Sequence, residues 1–168
     1  MAHGLIIEDK PEVRRSIAGY VKAGRHTYDE AGSLEDARSK LEANAYEFVL
    51  LDLSIPYADG DSAYRDLGIE CLKDIRASKL NGNTAVVVVT SDEDRELAME
   101  LRDQGADQYT WKPIESQRRP LHEVIAKAIT MRARRNNPQV LVAANEEETI
   151  EAPAVTLAIE AKQILLEG

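Results

Sequence analysis

Along the 168 residues the apolar positions switch repeatedly between short unbroken runs and helical spacing. "GLIIE" (4–8) is an apolar run with a β-branched pair and predicts a strand; after Pro11, Val13, Ile17, Tyr20 and Val21 recur at helical spacing. "HTYDEA" (26–31) predicts a weaker strand, and Ser33 stands as N-cap to a helix carrying Leu34, Ala37, Leu41 and Ala45. "EFVLLDL" is a strongly apolar strand, followed after a polar stretch by a helix with Ile69, Leu72 and Ile75. "TAVVVVTS" (84–91) holds four valines in a row without alternation, which means that both faces of that strand are covered. A helix with Leu97, Ala98 and Leu101 ends at Gly105, "DQYTW" (107–111) is a fifth short strand, and Leu121, Val124, Ile125, Ala128 and Ile129 mark a last helix.

Five strands alternating with five helices, the central strands continuously apolar, predict an α/β fold: a parallel sheet with helices on both faces. Such sheets place their ligands outside the carboxyl ends of the strands. Those ends carry Glu8 and Asp9 after the first strand, Asp52 after the third, Thr90 and Ser91 after the fourth, and Trp111, Lys112 and Pro113 after the fifth. Carboxylates crowded at one rim repel each other unless a cation neutralises them. An all-oxygen donor set suits a hard ion such as Mg2+, and with no histidine or cysteine nearby in sequence zinc does not suit it. A hydroxyl and an ammonium beside such an ion can hold a phosphoryl group, and the central carboxylate can act as its nucleophile. Taken singly, each residue has a plainer reading: Asp52 as a turn or capping acid, Thr90 or Ser91 as an N-cap, Lys112 as a solvated loop residue.

Composition narrows the partners. Thirty acids against 21 basic residues give a net charge of −9, which opposes a broad nucleic-acid surface. The basic cluster "RARR" (132–135) falls where the last helix ends, where cations complement the helix dipole. No apolar run approaches the length of a membrane span, and "MAHGLIIEDK" lacks the pattern of a secretory signal. The single cysteine, Cys71, excludes an intramolecular disulfide and sits in an apolar helical pattern as a small core residue, so a cytoplasmic protein is expected. His3, His26 and His122 are dispersed and suggest neither a phosphorelay site nor a metal cluster.

The acidic pair "ED", "LLDLSIP", "VVVVTS" and "YTWKP", in this order and each at a strand's carboxyl end, resemble the receiver domains of two-component response regulators, the chemotaxis regulators among them. The resemblance runs from about residue 4 to about 135, which makes 1–135 the receiver domain and 136–168 a C-terminal extension. It implies a doubly wound, flavodoxin-like five-stranded sheet of order 2-1-3-4-5. By the same resemblance Asp52 is the phosphoacceptor, and Glu8, Asp9 and Asp52 bind Mg2+ together with the backbone carbonyl of Ser54. Thr90 and Lys112 contact the phosphoryl group, and Tyr109 occupies the aromatic switch position. Ser54 and Asp92 lie where they can tune the lifetime of the acyl phosphate. The implied partners are a sensor histidine kinase and, through the face of the fourth helix, fifth strand and fifth helix, a downstream protein or a second copy. Such a protein is no enzyme in the ordinary sense, but a phosphoacceptor that assists its own phosphorylation and dephosphorylation.

Two departures from the family's pattern stand out. An insertion at about 57–67, with Asp59, Asp61, Arg65 and Asp66, lies at the lip of the site, and Gly68 takes the place of a glycine that usually opens the following helix. It is expected to be a surface loop, with a lid or a kinase-selecting contact as the alternative. The extension combines an acidic linker, "NEEETIE", with an amphipathic stretch, "VTLAIEAKQILL" (155–166), expected to form a short helix. Two other functions compete. A Mg2+-dependent phosphatase with an Asp nucleophile is disfavoured because Leu53 and Ser54 follow Asp52, leaving no second acid there. A pseudo-receiver scaffold that binds partners without phosphorylation is disfavoured by the presence of every quoted acid, Thr90 and Lys112.

Overall fold

A computed structural model describes residues 1–91 and 94–138. Asp92 and the amphipathic stretch at 155–166 lie outside the described residues. The chain divides into two units, Met1–Arg132 and Ala133–Gly168, and the architecture below is that of the first. In chain order its elements are β1 (His3–Ile7), α1 (Pro11–Ala23), β2 (Thr27–Ala31), α2 (Leu34–Ala43), β3 (Phe48–Leu51), β4 (Ile55–Pro56), β5 (Ala63–Tyr64), α3 (Arg65–Ala77), β6 (Ala85–Thr90), α4 (Arg95–Asp103), β7 (Gln108–Trp111), a 3-10 turn (Ile114–Ser116) and α5 (Leu121–Asn136).

One parallel sheet of five strands runs in the order β2-β1-β3-β6-β7, which is the order 2-1-3-4-5 when the two short strands β4 and β5 are set aside. Alternate residues of each central strand enter different cores. Leu5, Ile7, Val49, Leu51, Val86 and Val88 pack with α2, α3 and α4; Ile6, Phe48, Leu50, Val87 and Val89 pack with α1 and α5. Every residue of β3 and of β6 is buried. That is why these strands read as unbroken apolar runs. Each such side chain contributes about 1.5–3 kcal/mol on burial, which fixes the register of the strands and so the positions of their ends.

The helices start where their caps stand. Ser33 accepts a hydrogen bond from the Asp36 N–H, and Asp94 accepts from the N–H groups of Glu96 and Leu97. Helix α2 ends at Ala43, earlier than expected, and Ala45 lies beyond it, exposed. The cause is Asn81, whose buried amide donates to the carbonyls of Leu41 and Asn44, both at 2.8 Å, and accepts from the Tyr46 N–H. These bonds satisfy the helix end and turn the chain toward β3.

The insertion is not the loop expected at 57–67. β4 and β5 form an antiparallel hairpin, with Ile55 opposite Tyr64 and Pro56 opposite Ala63, and α3 already begins at Arg65. Its turn is closed by Ala58 N–H to Asp61 Oδ2 and Asp61 N–H to the Ala58 carbonyl, each 3.1 Å, while Gly60 takes a φ of +91°. The Glu35 N–H donates to the Tyr57 carbonyl at 2.9 Å and ties the hairpin to α2. Gly68 lies inside α3 rather than opening it, and its N–H donates to the Leu53 carbonyl at 3.0 Å.

At the amino ends of β6 and β7 the fully buried carboxylate of Asp107 accepts bonds from the Val86 N–H (2.9 Å), Arg76 Nη2 (3.2 Å) and Arg132 (3.0 and 3.1 Å). Both guanidinium groups also donate to the Gly105 carbonyl. Arg132, the first residue of "RARR", is therefore an internal ion-pair partner and not merely a helix-end cation. No helix among the described residues is long and apolar enough to cross a membrane.

Candidate functional site

Glu8 and Asp52 stand one residue beyond their strands, and Asp9 two. Asp52 follows β3 closely enough that its N–H still donates to the Ile7 carbonyl at 2.9 Å, and the Glu8 N–H donates to the Ala31 carbonyl at 3.0 Å. The sheet ladder thus extends to the backbone of both residues and sets their spacing. Carboxylate oxygens of Glu8, Asp9 and Asp52 all lie within 4.8 Å of one another. Past the end of β7, the Lys112 N–H donates to the Thr90 carbonyl at 2.9 Å, which steers the lysine side chain over the same spot. Its ammonium donates to Glu8 Oε2 and, at 2.8 Å, to Asp52 Oδ2.

Burial governs the electrostatics. It pushes the Glu8 carboxyl up from 4.5 to about 7, and the nearby Asp52 charge adds to the effect against the pull of Lys112. Burial alone would lower Lys112, but the Asp52 and Glu8 carboxylates outweigh it and raise the ammonium above its ordinary value. Three carboxylates against one ammonium leave two negative charges uncompensated when all are ionised. Asp9 Oδ1 is buried without a hydrogen-bond partner. An orphaned acceptor beside two more carboxylates, with a deficit of two charges, fits a divalent cation of the hard, oxygen-seeking kind.

The remaining residues are placed as follows. Thr90 ends β6, is 7% exposed, and pairs in register with Trp111. The exposed Ser54 lies two residues past Asp52, and its N–H donates to Asp52 Oδ1 at 3.4 Å. Tyr109 is half-buried, opposite Val88, and packs on the core that contains Leu97 and Leu101 of α4. A cleft of about 400 Å3 opens beside Lys112, between Val13 and Ser16 of α1 and the segment Pro113, Ile114 and Glu115. The patterning did not single out Arg14, whose Nη1 donates to the Glu8 carbonyl at 2.6 Å and to the Asp9 carbonyl at 3.4 Å. The available signal was its place in the first turn and a half of α1, close after the acidic pair.

The sequence profile of the response regulator receiver domain matches residues 5–126. The transcriptional regulatory protein ResD of Bacillus subtilis (strain 168) is 31% identical over 111 residues, 66% of this chain and 41% of ResD. The regulatory protein VanRB of Enterococcus faecalis is 26% identical over 110 residues, 66% of this chain and 45% of VanRB. The chain therefore spans less than half the length of either relative. Among solved structures, a CheY-like receiver domain protein from Methanospirillum hungatei superposes with a TM-score of 0.63 at 22% identity, covering 80% of this chain and 98% of that one. The receiver domain of the sensor histidine kinase PA1611 from Pseudomonas aeruginosa, solved with a magnesium ion in its active-site cleft, gives a TM-score of 0.62 at 19% identity, covering 77% and 98%. With sheet order, strand-end acids and family profile in agreement, the chain belongs to the response regulator receiver domain family.

Proposed function

We propose that this chain is a phosphorylation-controlled signalling switch that accepts a phosphoryl group on Asp52 from a sensor histidine kinase. The observation that carries the reading is the Asp52 carboxylate itself, held at the sheet's edge by Lys112 and backed by two more acids. Its oxygen attacks phosphorus, the phosphorus–nitrogen bond of a phosphohistidine breaks, and the electron pair returns to the imidazole. Mg2+ held by Glu8, Asp9, Asp52 and the Ser54 carbonyl supplies positive charge toward the phosphoryl oxygens when bound. Lys112 then exchanges a carboxylate oxygen for a phosphoryl oxygen, and the Thr90 hydroxyl binds another. The cleft between α1 and Pro113–Glu115 leaves room for the donor beside Lys112.

The new charge draws Thr90 inward, and Tyr109 repacks against α4, which alters the surface of α4, β7 and α5 offered to a downstream protein or a second copy. The chain acts in the cytoplasm, where such kinases present their phosphohistidine. It is a phosphoacceptor that assists its own chemistry rather than an enzyme with a separate substrate.

Intact-mass analysis after incubation with Mg2+ and acetyl phosphate tests the reading. The parent should gain one phosphoryl group and the Asp52→Asn variant none. A parent that gains nothing, and that also fails to bind Mg2+ with beryllofluoride, would be a scaffold that has the fold without the chemistry.

A further inference from the structure

Glu8 and Asp9 lie in the short turn between β1 and α1, outside the sheet ladder except for the Glu8 N–H. A turn of this kind has backbone freedom that would blur the spacing of its two carboxylates. Within it the Lys10 N–H donates to Glu8 Oε1 at 3.1 Å, and a side chain from the helix that follows adds a hold on the backbone. Arg14 folds back from α1, and its Nη1 donates to the Glu8 carbonyl at 2.6 Å and reaches the Asp9 carbonyl at 3.4 Å. Nε of the same group donates to Glu30 Oε2 at 3.3 Å, past β1 on the edge strand β2. One planar guanidinium thus joins the acid-bearing turn to the outermost strand, with its own side chain only 21% exposed.

We propose that Arg14 is a positioning residue for the divalent cation: by gripping the Glu8 and Asp9 carbonyls it holds their carboxylates at the separation that the cation requires. This rests on the cation-dependent reading above. Arg14 touches neither the cation nor the phosphoryl group. It acts through the backbone of two ligands, as the outer partners of metal ligands commonly do, and loss of such a partner typically weakens binding by about tenfold or more.

Charge alone acts in the opposite sense. Arg14 is itself a cation near an acidic site, so simple Coulomb repulsion predicts that removing it would tighten Mg2+ binding. Glu30 offsets much of that charge at 3.3 Å, which leaves positioning as the larger effect. The two effects differ in sign, and two substitutions separate them. Arg14→Gln removes both charge and fork; Arg14→Lys keeps the charge but cannot span the Glu8 carbonyl and Glu30 with a planar group.

Isothermal titration with MgCl2 alone, at about pH 8 so that Glu8 is ionised, reads the affinity without any phosphoryl chemistry, and urea melts of the same cation-free samples read stability. The expected result is Mg2+ binding about tenfold weaker in Arg14→Gln, partly restored in Arg14→Lys. The loss should exceed anything seen for Glu30→Gln, which leaves the grip on the turn in place. Unchanged or tighter binding in Arg14→Gln overturns the inference, as does a fall in stability alone. If the parent takes up no Mg2+, the cation-dependent reading fails and this inference goes with it.

Discussion

Glu8 has its carboxylate fully buried and its folded pKa pushed by burial from 4.5 to about 7, so below about pH 7 the cation-free protein favours the protonated acid. Below pH 4.5 the group is protonated whether or not the chain is folded. As pH rises through 7 the folded state must give up a proton that the unfolded state has already lost, and the stabilisation disappears. The metal-free protein should therefore lose stability between about pH 4.5 and 7, by about 1–3 kcal/mol once solvent screening is allowed for. His26 acts in the opposite sense, because burial lowers its pKa, so the measurement is the difference between parent and Glu8→Gln in urea unfolding across this range. Parallel curves for the two proteins would rule out Glu8 as the source, and saturating Mg2+ should flatten the parent's curve by displacing the proton. Cys71 makes a second residue-scale case. Burial pushes its thiol up to about 12, so a disulfide reagent at neutral pH should label it only as fast as the chain unfolds. Labelling within seconds in native buffer would contradict that packing.

Gly68 shows at the scale of an element how the insertion is joined to the fold. A Cβ there would stand 2.2 Å from the Leu53 carbonyl oxygen and 2.3 Å from Leu53 Cα, backbone atoms that no rotamer change can move aside. Gly68→Ala should cost about 2–3 kcal/mol by forcing α3 away from the chain just past Asp52. Gly60→Ala, at the hairpin tip, meets no neighbour within 4 Å but must adopt a φ of +91°, and should cost about 1 kcal/mol. Urea midpoints of the two variants check the order; equal losses would mean that α3 yields freely at Leu53. The elements that were legible in the sequence are those with a strong apolar signature. β3 and β6 are buried throughout, so unbroken runs gave their position, and the position gave Asp52 and Thr90. The hairpin was not legible, because β5 consists of two exposed residues and only Ile55 and Pro56 are buried in β4, which leaves no alternation to read. The bonds from Lys112 to Glu8 and Asp52 cross 104 and 60 residues; the alternation of strand and helix, which implies a parallel sheet with its ligands at the carboxyl ends, brought these residues to one rim, but their direct bonds to one another were not legible.

At the scale of the whole molecule the sheet carries a charged cluster at each end. The carboxyl edge holds the acids with an excess of negative charge, which a cation can relieve. The amino edge holds Asp107 between Arg76 and Arg132, where one carboxylate is hydrogen-bonded to two guanidinium groups. Between them run the strands β6, packed on both faces, and β7 beside it. From Val86, which bonds Asp107, to Thr90 is roughly 13 Å along the strand at the usual rise per residue. Sites separated by more than about 7–10 Å, with no shared partner, usually contribute independently. Asp107→Ala should therefore cost about 3 kcal/mol or more, because it leaves two largely buried guanidinium groups without their carboxylate, while the Mg2+ affinity of the folded protein stays within about a factor of two. Urea melts and Mg2+ titrations on the same variant decide the matter. Loss of stability with affinity retained would make the amino-edge cluster a fixed base for the sheet. A parallel fall in affinity would instead mean that β6 and β7 transmit strain along their length, and that the ion pairs of Arg76 and Arg132 are coupled to the cation site.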